Sequence, residues 1–296
     1  MNPLERNELV FFPAIILGLL LPQLSQLLSV YIIPLLVLAM SFSLIQMKFS
    51  RDDIASSLPS SIKSFALNYA FLSVFLIAAA YLLIQEPDYF AGFVVLAAVP
   101  PAVAVIPFTY LLRGDAKTSL GGEVLCYFLS LIAAPLITLA FLGFMVDIFE
   151  IIRILALVIL LPLAISIVLR MVPEGILSVR KSVVNLSLGI IIYAIIGLNQ
   201  AAIFTDTAAL IPVFSLLFIK TFVLGVLVFY LFKRFGVSLE RNISYTLFSI
   251  YKNGGMASAI TIVLISAAAS LPAALQSIFT FSFLPFFGFL IRRERK

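Results

Sequence analysis

Histidine and tryptophan are absent from the 296 residues, and cysteine occurs once, at Cys126. Without histidine there are no imidazole metal sites and no histidine general bases. A lone cysteine excludes an intrachain disulfide and leaves the redox compartment open. Charge is scarce as well: charged residues make up 11% of the chain, against about 25% in a soluble domain. Hydrophobic residues take 63%, and the mean hydropathy is +1.20. So little polar side chain cannot cover a surface that faces water, and lipid must cover it instead.

A spanning helix needs about 20 apolar residues, because each residue advances about 1.5 Å through a core about 30 Å thick. Runs of that length fill the sequence, and short linkers between them leave little chain for a soluble domain. They are rich in Leu, Ile, Phe and Ala and lack the alternation of a membrane barrel, so helices are expected. The reading is an all-α polytopic membrane protein of about ten spans. The first five are Leu9–Leu27, Leu28–Met47, Ile62–Ile84, Asp88–Leu112 and Thr118–Val146. The second five are Phe149–Val172, Leu177–Phe204, Ala208–Phe235, Leu239–Ala267 and Leu271–Ile291. Pro22 and Gln23 interrupt the first run. Met1–Glu8 leads into it without a small-residue cleavage site, so no removable signal peptide is expected.

The net charge of +5 follows topology and not nucleic-acid binding. Arg6, Lys48, Arg51, Lys63, Arg113, Lys117, Arg170, Arg180, Lys181, Lys233, Arg234, Arg241 and the basic tail from Arg292 to Lys296 fall on one side of this arrangement. The other side has Arg153 among Glu86, Asp88, Asp147, Glu150 and Asp206. The positive-inside rule then puts both termini in the cytoplasm, with the plasma membrane as the expected location.

Ten spans divide near Asp147 into residues 1–147 and 148–296. An odd number of spans per half forces the second half to enter inverted, a plan that secondary transporters use with a site on broken midplane helices. Both halves break in their fourth span. Pro100, Pro101 and Pro107 remove backbone donors from the fourth, and Asn253-Gly254-Gly255 weakens the ninth by about 1 kcal/mol per glycine. Two crossover helices are therefore expected.

Few ionisable residues lie well inside spans: Glu123, Lys220 and Lys252. A charge at the bilayer centre costs about 2.5 to 3.5 kcal/mol on insertion scales, so such residues face a cavity or a partner. Lys252 directly precedes the ninth-span break and is placed to anchor an anion, take a cation's place or exchange a proton. Glu123 follows Gly121-Gly122 and is placed to pair with Lys252 or to bind a cation or proton. Asn68, Asn199, Gln200 and Asn253 are intramembrane amides; such groups often only tie helices together, but Asn253 sits at a crossover. An intramembrane enzyme would need a nucleophile–base pair, paired aspartates or a metal cluster, and the spans offer none. The protein is read as a non-enzyme without cofactor or resident metal, with a small-molecule substrate and the bilayer as its partners; a channel or signalling protein is the alternative class.

At the crossovers the residues resemble a known family. Pro100-Pro-Ala-Val-Ala-Val-Ile-Pro-Phe-Thr-Tyr-Leu-Leu-Arg-Gly-Asp115 is similar to the fourth-span motif of bile acid:sodium symporters, and Thr109 lies in its most specific stretch. Tyr251-Lys-Asn-Gly-Gly-Met-Ala257 resembles the ninth-span motif, and Pro34–Met40 the second span. The resemblance implies ten spans, two crossovers and a bundle that moves against a panel of the first, second, sixth and seventh spans. It also implies where sodium would be held. That family's Ser-Asn pair falls on Val105 and Ile106, and its glutamate on Phe248. Its glutamine falls on Lys252, and its threonine on Glu123. Ser119 and Asn253 are kept. Hard cations want several oxygens and lysine offers none. Lys252 is therefore expected to occupy sodium's place with Glu123 as counter-charge, so that coupling is to protons or absent; sodium coupling is the alternative. The arsenite branch uses a cysteine near the fourth-span crossover, which this segment lacks. A small organic anion is the expected substrate.

Overall fold

The computed structural model describes residues 3–45, 51–143, 147–171, 178–205 and 207–295. Lys48, Asp206 and Lys296 of the charge pattern, and the span ends Met47, Val146, Val172 and Leu177, lie outside them. The described residues are nearly all helical and form no strand. Helix is what a lipid-facing chain must adopt, since it satisfies its own backbone donors and acceptors.

In chain order the helices are α1 (Asn7–Leu20), α2 (Ile32–Leu44), α3 (Ser57–Leu83), α4 (Pro87–Ala98), α5 (Val105–Leu111) and α6 (Ala116–Leu142). They continue with α7 (Ile148–Leu169), α8 (Arg180–Leu198), α9 (Ala208–Arg234), α10 (Leu239–Ile250), α11 (Gly254–Leu264) and α12 (Ala267–Glu294). Among the described residues, seven segments are long and apolar enough to cross a membrane, with α10 and α11 together forming one of them; an eighth is α1 with Pro22–Ser29 behind a 90° bend. That count is smaller than the expected ten. Helices α2 and α4 are apolar but short. The proline pair ends α4, and the second run continues into residues outside the described range.

Both anticipated breaks occur where the sequence put them. Helix stops at Ala98 and resumes at Val105, and stops at Ile250 and resumes at Gly254. Two other departures carry no sequence mark. Ala66–Ser73 in α3 and Ile219–Val223 in α9 are π-helical, so one extra residue rotates the side chains that follow.

Two layers result. Helices α1, α2, α7 and α8 pack mainly on one another, α8 lying between α1 and α2 and α2 between α8 and α7. The other layer pairs α3 with α6, α12 with α4 and α11, and α9 with α10. Gly92 brings α4 against the Ala269 carbonyl of α12 so closely that a β-carbon would collide with it.

The Arg113-Gly114-Asp115 turn is a fastener between α5, α6 and α10. Arg113 takes a left-handed φ of 54°, and Gly114 N donates to Thr109 O at 2.8 Å. Asp115 caps α6 through Thr118 N, its backbone N–H donates to Glu240 O at 2.9 Å, and its side chain meets Arg241 at 3.4 Å.

Candidate functional site

Breaking two helices in lipid leaves backbone carbonyls without intrahelical partners, and each must find a donor. The two breaks meet directly: Asn253 N donates to Pro100 O at 2.9 Å. The π-helical turn of α3 aims Asn68 at the end of α10, where its Nδ2 donates to the carbonyls of Phe248 and Tyr251, both at 2.9 Å. Ser73, one turn on, donates to Ala97 O at 2.7 Å at the end of α4.

Lys252 completes this arrangement. Its buried ammonium donates to Asn68 Oδ1 at 2.8 Å, Ser73 Oγ at 2.9 Å and Val99 O at 3.0 Å, and lies 4.2 Å from the centre of the Tyr69 ring. An ammonium has three N–H donors, and all three are used. The oxygens are neutral, and the negative ends of α4 and α10 face the charge. Behind the break, Gln276 of α12 donates through Nε2 to Lys252 O at 2.9 Å and accepts from the buried Lys220 ammonium of α9 through Oε1. Asn253 caps α11 by accepting from Met256 N at 3.0 Å, and its Nδ2 donates to the Tyr127 hydroxyl at 2.9 Å. Gly254 sits where a β-carbon would lie 2.7 Å from Ala273 O. Gly255 packs closely on α2, a β-carbon there falling 3.2 Å from Leu36 Cδ1.

Glu123 does not join Lys252, against expectation. It is fully buried on α6, and among the described residues neither carboxyl oxygen has a hydrogen-bond partner. It lines a cavity of about 40 Å³ with Val124, Tyr127 and Phe128 of α6, Leu44 of α2, and Ile159 and Leu163 of α7. The two residues face different parts of the fold because α6 turns Glu123 towards the other layer, while Lys252 is held at the crossover.

The remaining candidates separate. Thr109 and Ser119 share a hydrogen bond of 2.7 Å, and Thr109 also donates to Val105 O. Val105, Ile106 and Phe248 are buried hydrocarbon, and the Phe248 ring lies against Gly122, whose β-carbon would fall 2.8 Å from it. Pro100 contributes its carbonyl, while Pro101 and Pro107 flank the break that they enforce. Asn199 ties α8 to Ala267 O at 3.0 Å, and Gln200 donates to Leu19 O at 3.1 Å; neither reaches the crossover. Sequence reasoning missed Ser73, Tyr69, Tyr127 and Gln276. Only Gln276 offered a signal, as an amide inside the tenth span.

No curated protein matches the chain. The sodium bile acid symporter family matches residues 33–206, a segment that contains the break after Ala98, Asn68 and Glu123 and stops short of Lys252. That match spans more than half of the residues, and the chain therefore belongs to the sodium bile acid symporter family.

Proposed function

We propose that the protein is a secondary active transporter of a small organic anion in which the Lys252 ammonium stands where sodium-coupled relatives hold an ion, so that transport is coupled to protons or to no ion. The observation that carries this reading is the triple coordination of that ammonium at the meeting point of the two broken helices. A positive charge there, beside the N-terminus of α11, favours an anionic substrate.

Paired features of the two halves support inverted repeats at residues 1–147 and 148–296. Helices α3 and α9 each carry a π-helical turn. Helices α6 and α12 are each capped by the side chain of the preceding residue, Asp115 or Ser266. The amide of Gly114 goes to Thr109 O, and that of Ser266 to Thr261 O. In this reading the layer containing both breaks moves against the layer of α1, α2, α7 and α8, with both termini cytoplasmic in the plasma membrane.

The test is thermal unfolding of purified protein in sodium or choline chloride at several pH values. A ligand at 100 times its Kd stabilises the folded state by about 2.7 kcal/mol. An unchanged midpoint in sodium is expected. Clear stabilisation by sodium returns sodium-coupled symport as the function. Counterflow in proteoliposomes separates a carrier from a channel, since only a carrier shows trans-stimulation.

A further inference from the structure

We propose that Glu123 is the proton-binding site of the transport cycle, loaded with one proton whenever it faces the apolar gap between the two layers. The inference rests on the transporter reading and deepens it by placing the coupling proton on Glu123 and not on Lys252.

Three observations carry it. First, Lys252 is occupied: each N–H has an oxygen within 3.0 Å, and the ammonium fastens the crossover. Second, Glu123 is fully buried, yet neither oxygen has a partner among the described residues. An unpaired carboxylate in hydrocarbon is among the most costly arrangements in a membrane protein, whereas the neutral acid is tolerated. Third, the carboxyl lies on the seam along which the layers must slide, facing Leu44, Ile159 and Leu163 of the opposing layer.

The ligand is a proton and not a metal ion because the surroundings lack oxygens. Among the described residues the cavity is walled by hydrocarbon of Leu44, Val124, Tyr127, Phe128, Ile159 and Leu163, and a hard cation requires several oxygen ligands.

The titratable groups that feel the carboxyl's charge are Cys126 and Tyr127 on its own helix and Tyr69 on α3. Helix α3 also brings Ser64, and α10 brings Phe248, to the adjoining face at Gly122. From α2 and α7 come only Leu44, Ile159 and Leu163, with Arg170 at the end of α7 donating to Leu44 O at 3.0 Å. Of these groups Lys252 meets Tyr69, its ammonium lying 4.2 Å from the centre of the ring. Tyr127 accepts from Asn253, so it links the carboxyl's cavity to the crossover.

In the cycle, the carboxylate takes a proton from hydronium on one side, leaving water. The neutral acid then crosses the seam, and the proton passes to water on the other side. An ionised Glu123 holds the carrier on the side where water reaches it.

Two measurements need no substrate. Infrared difference spectra of protein in nanodiscs are recorded across a pH titration, with and without carbon-13 glutamate. A protonated-carboxyl band should persist at neutral pH, shift with the label, and vanish in Glu123→Gln. Spectra showing only ionised carboxylates at neutral pH overturn the proposal, and they do so in the wild type, whatever the variant's folding. On a solid-supported membrane, a pH jump should give a transient current that is lost in Glu123→Gln and kept in Glu150→Gln, a carboxylate paired with Arg153 in the first turn of α7. A current that survives Glu123→Gln also overturns it. A sodium-jump current would instead sink the sodium-free reading of Lys252 and leave the Glu123 band standing, so the two failures are distinguishable.

Discussion

Asn68 and Lys252 lie far apart in sequence and meet at 2.8 Å, the amide oxygen accepting from the ammonium while the amide nitrogen bonds the carbonyls of Phe248 and Tyr251. One side chain thus satisfies the end of α10 and helps to hold the charge that follows it.

Asn68→Ala is therefore expected to destabilise the protein by about 3 kcal/mol or more, because it leaves two carbonyls and one ammonium donor unpaired in a buried site. The unfolding midpoint in detergent reports it. A loss below about 1 kcal/mol would show that water or rearrangement replaces the amide.

Lys252→Gln empties the space among Asn68 Oδ1, Ser73 Oγ and Val99 O and leaves oxygens facing one another. The variant should be less stable than wild type in choline chloride, and sodium should recover part of the loss. Titrating the midpoint against sodium concentration measures this. A variant as indifferent to sodium as the wild type shows that the oxygens collapse together when the ammonium is removed.

Gln276 bridges two lysines, accepting from Lys220 and donating to Lys252 O. Gln276→Leu should cost about 3 to 5 kcal/mol by stranding the Lys220 ammonium. Adding Lys220→Met should restore much of that, giving a coupling of about 1 to 3 kcal/mol in a double-mutant cycle of denaturation free energies. Additive losses would mean that the two side chains are energetically independent.

Gly254→Ala places a methyl group 2.7 Å from the Ala273 carbonyl. Backbone must move, since no flexible side-chain end yields there, and a loss of about 1 to 3 kcal/mol is expected. The same change at Gly236, where a β-carbon meets nothing within 4 Å but φ is +70°, should cost only the backbone strain. Comparing the two midpoints separates crowding from conformation.

Much of this was legible in the sequence, and the reasons are physical. Proline removes donors and glycine weakens helix wherever they fall, so the breaks after Ala98 and Ile250 were readable from Pro100-Pro101 and Gly254-Gly255. Lys252 was readable because a charge in a long apolar run has few places to go. That Lys252 and Glu123 do not pair was not recoverable. Run length tells which helix carries a residue but not its rotation about the axis, and α6 points Glu123 towards α2 and α7. The π-helical turns hid the partners further. An extra residue per turn at Ala66–Ser73 and Ile219–Val223 shifts the phase of the side chains beyond it, and the composition of those segments is ordinary. Span counting from hydropathy also treated the first run as a simple crossing, whereas its path turns by 90° at Pro22.

The ammonium at the crossover differs from a bound ion in one respect: it is attached. A ligand on its own chain is present at a fixed, very high local concentration and does not dissociate into bulk solution. Its site is filled at any salt concentration and on either side of the membrane. In the proposed cycle the joint between the two broken helices then travels as one stiff unit. A cell that dilutes or loses its sodium leaves that joint intact.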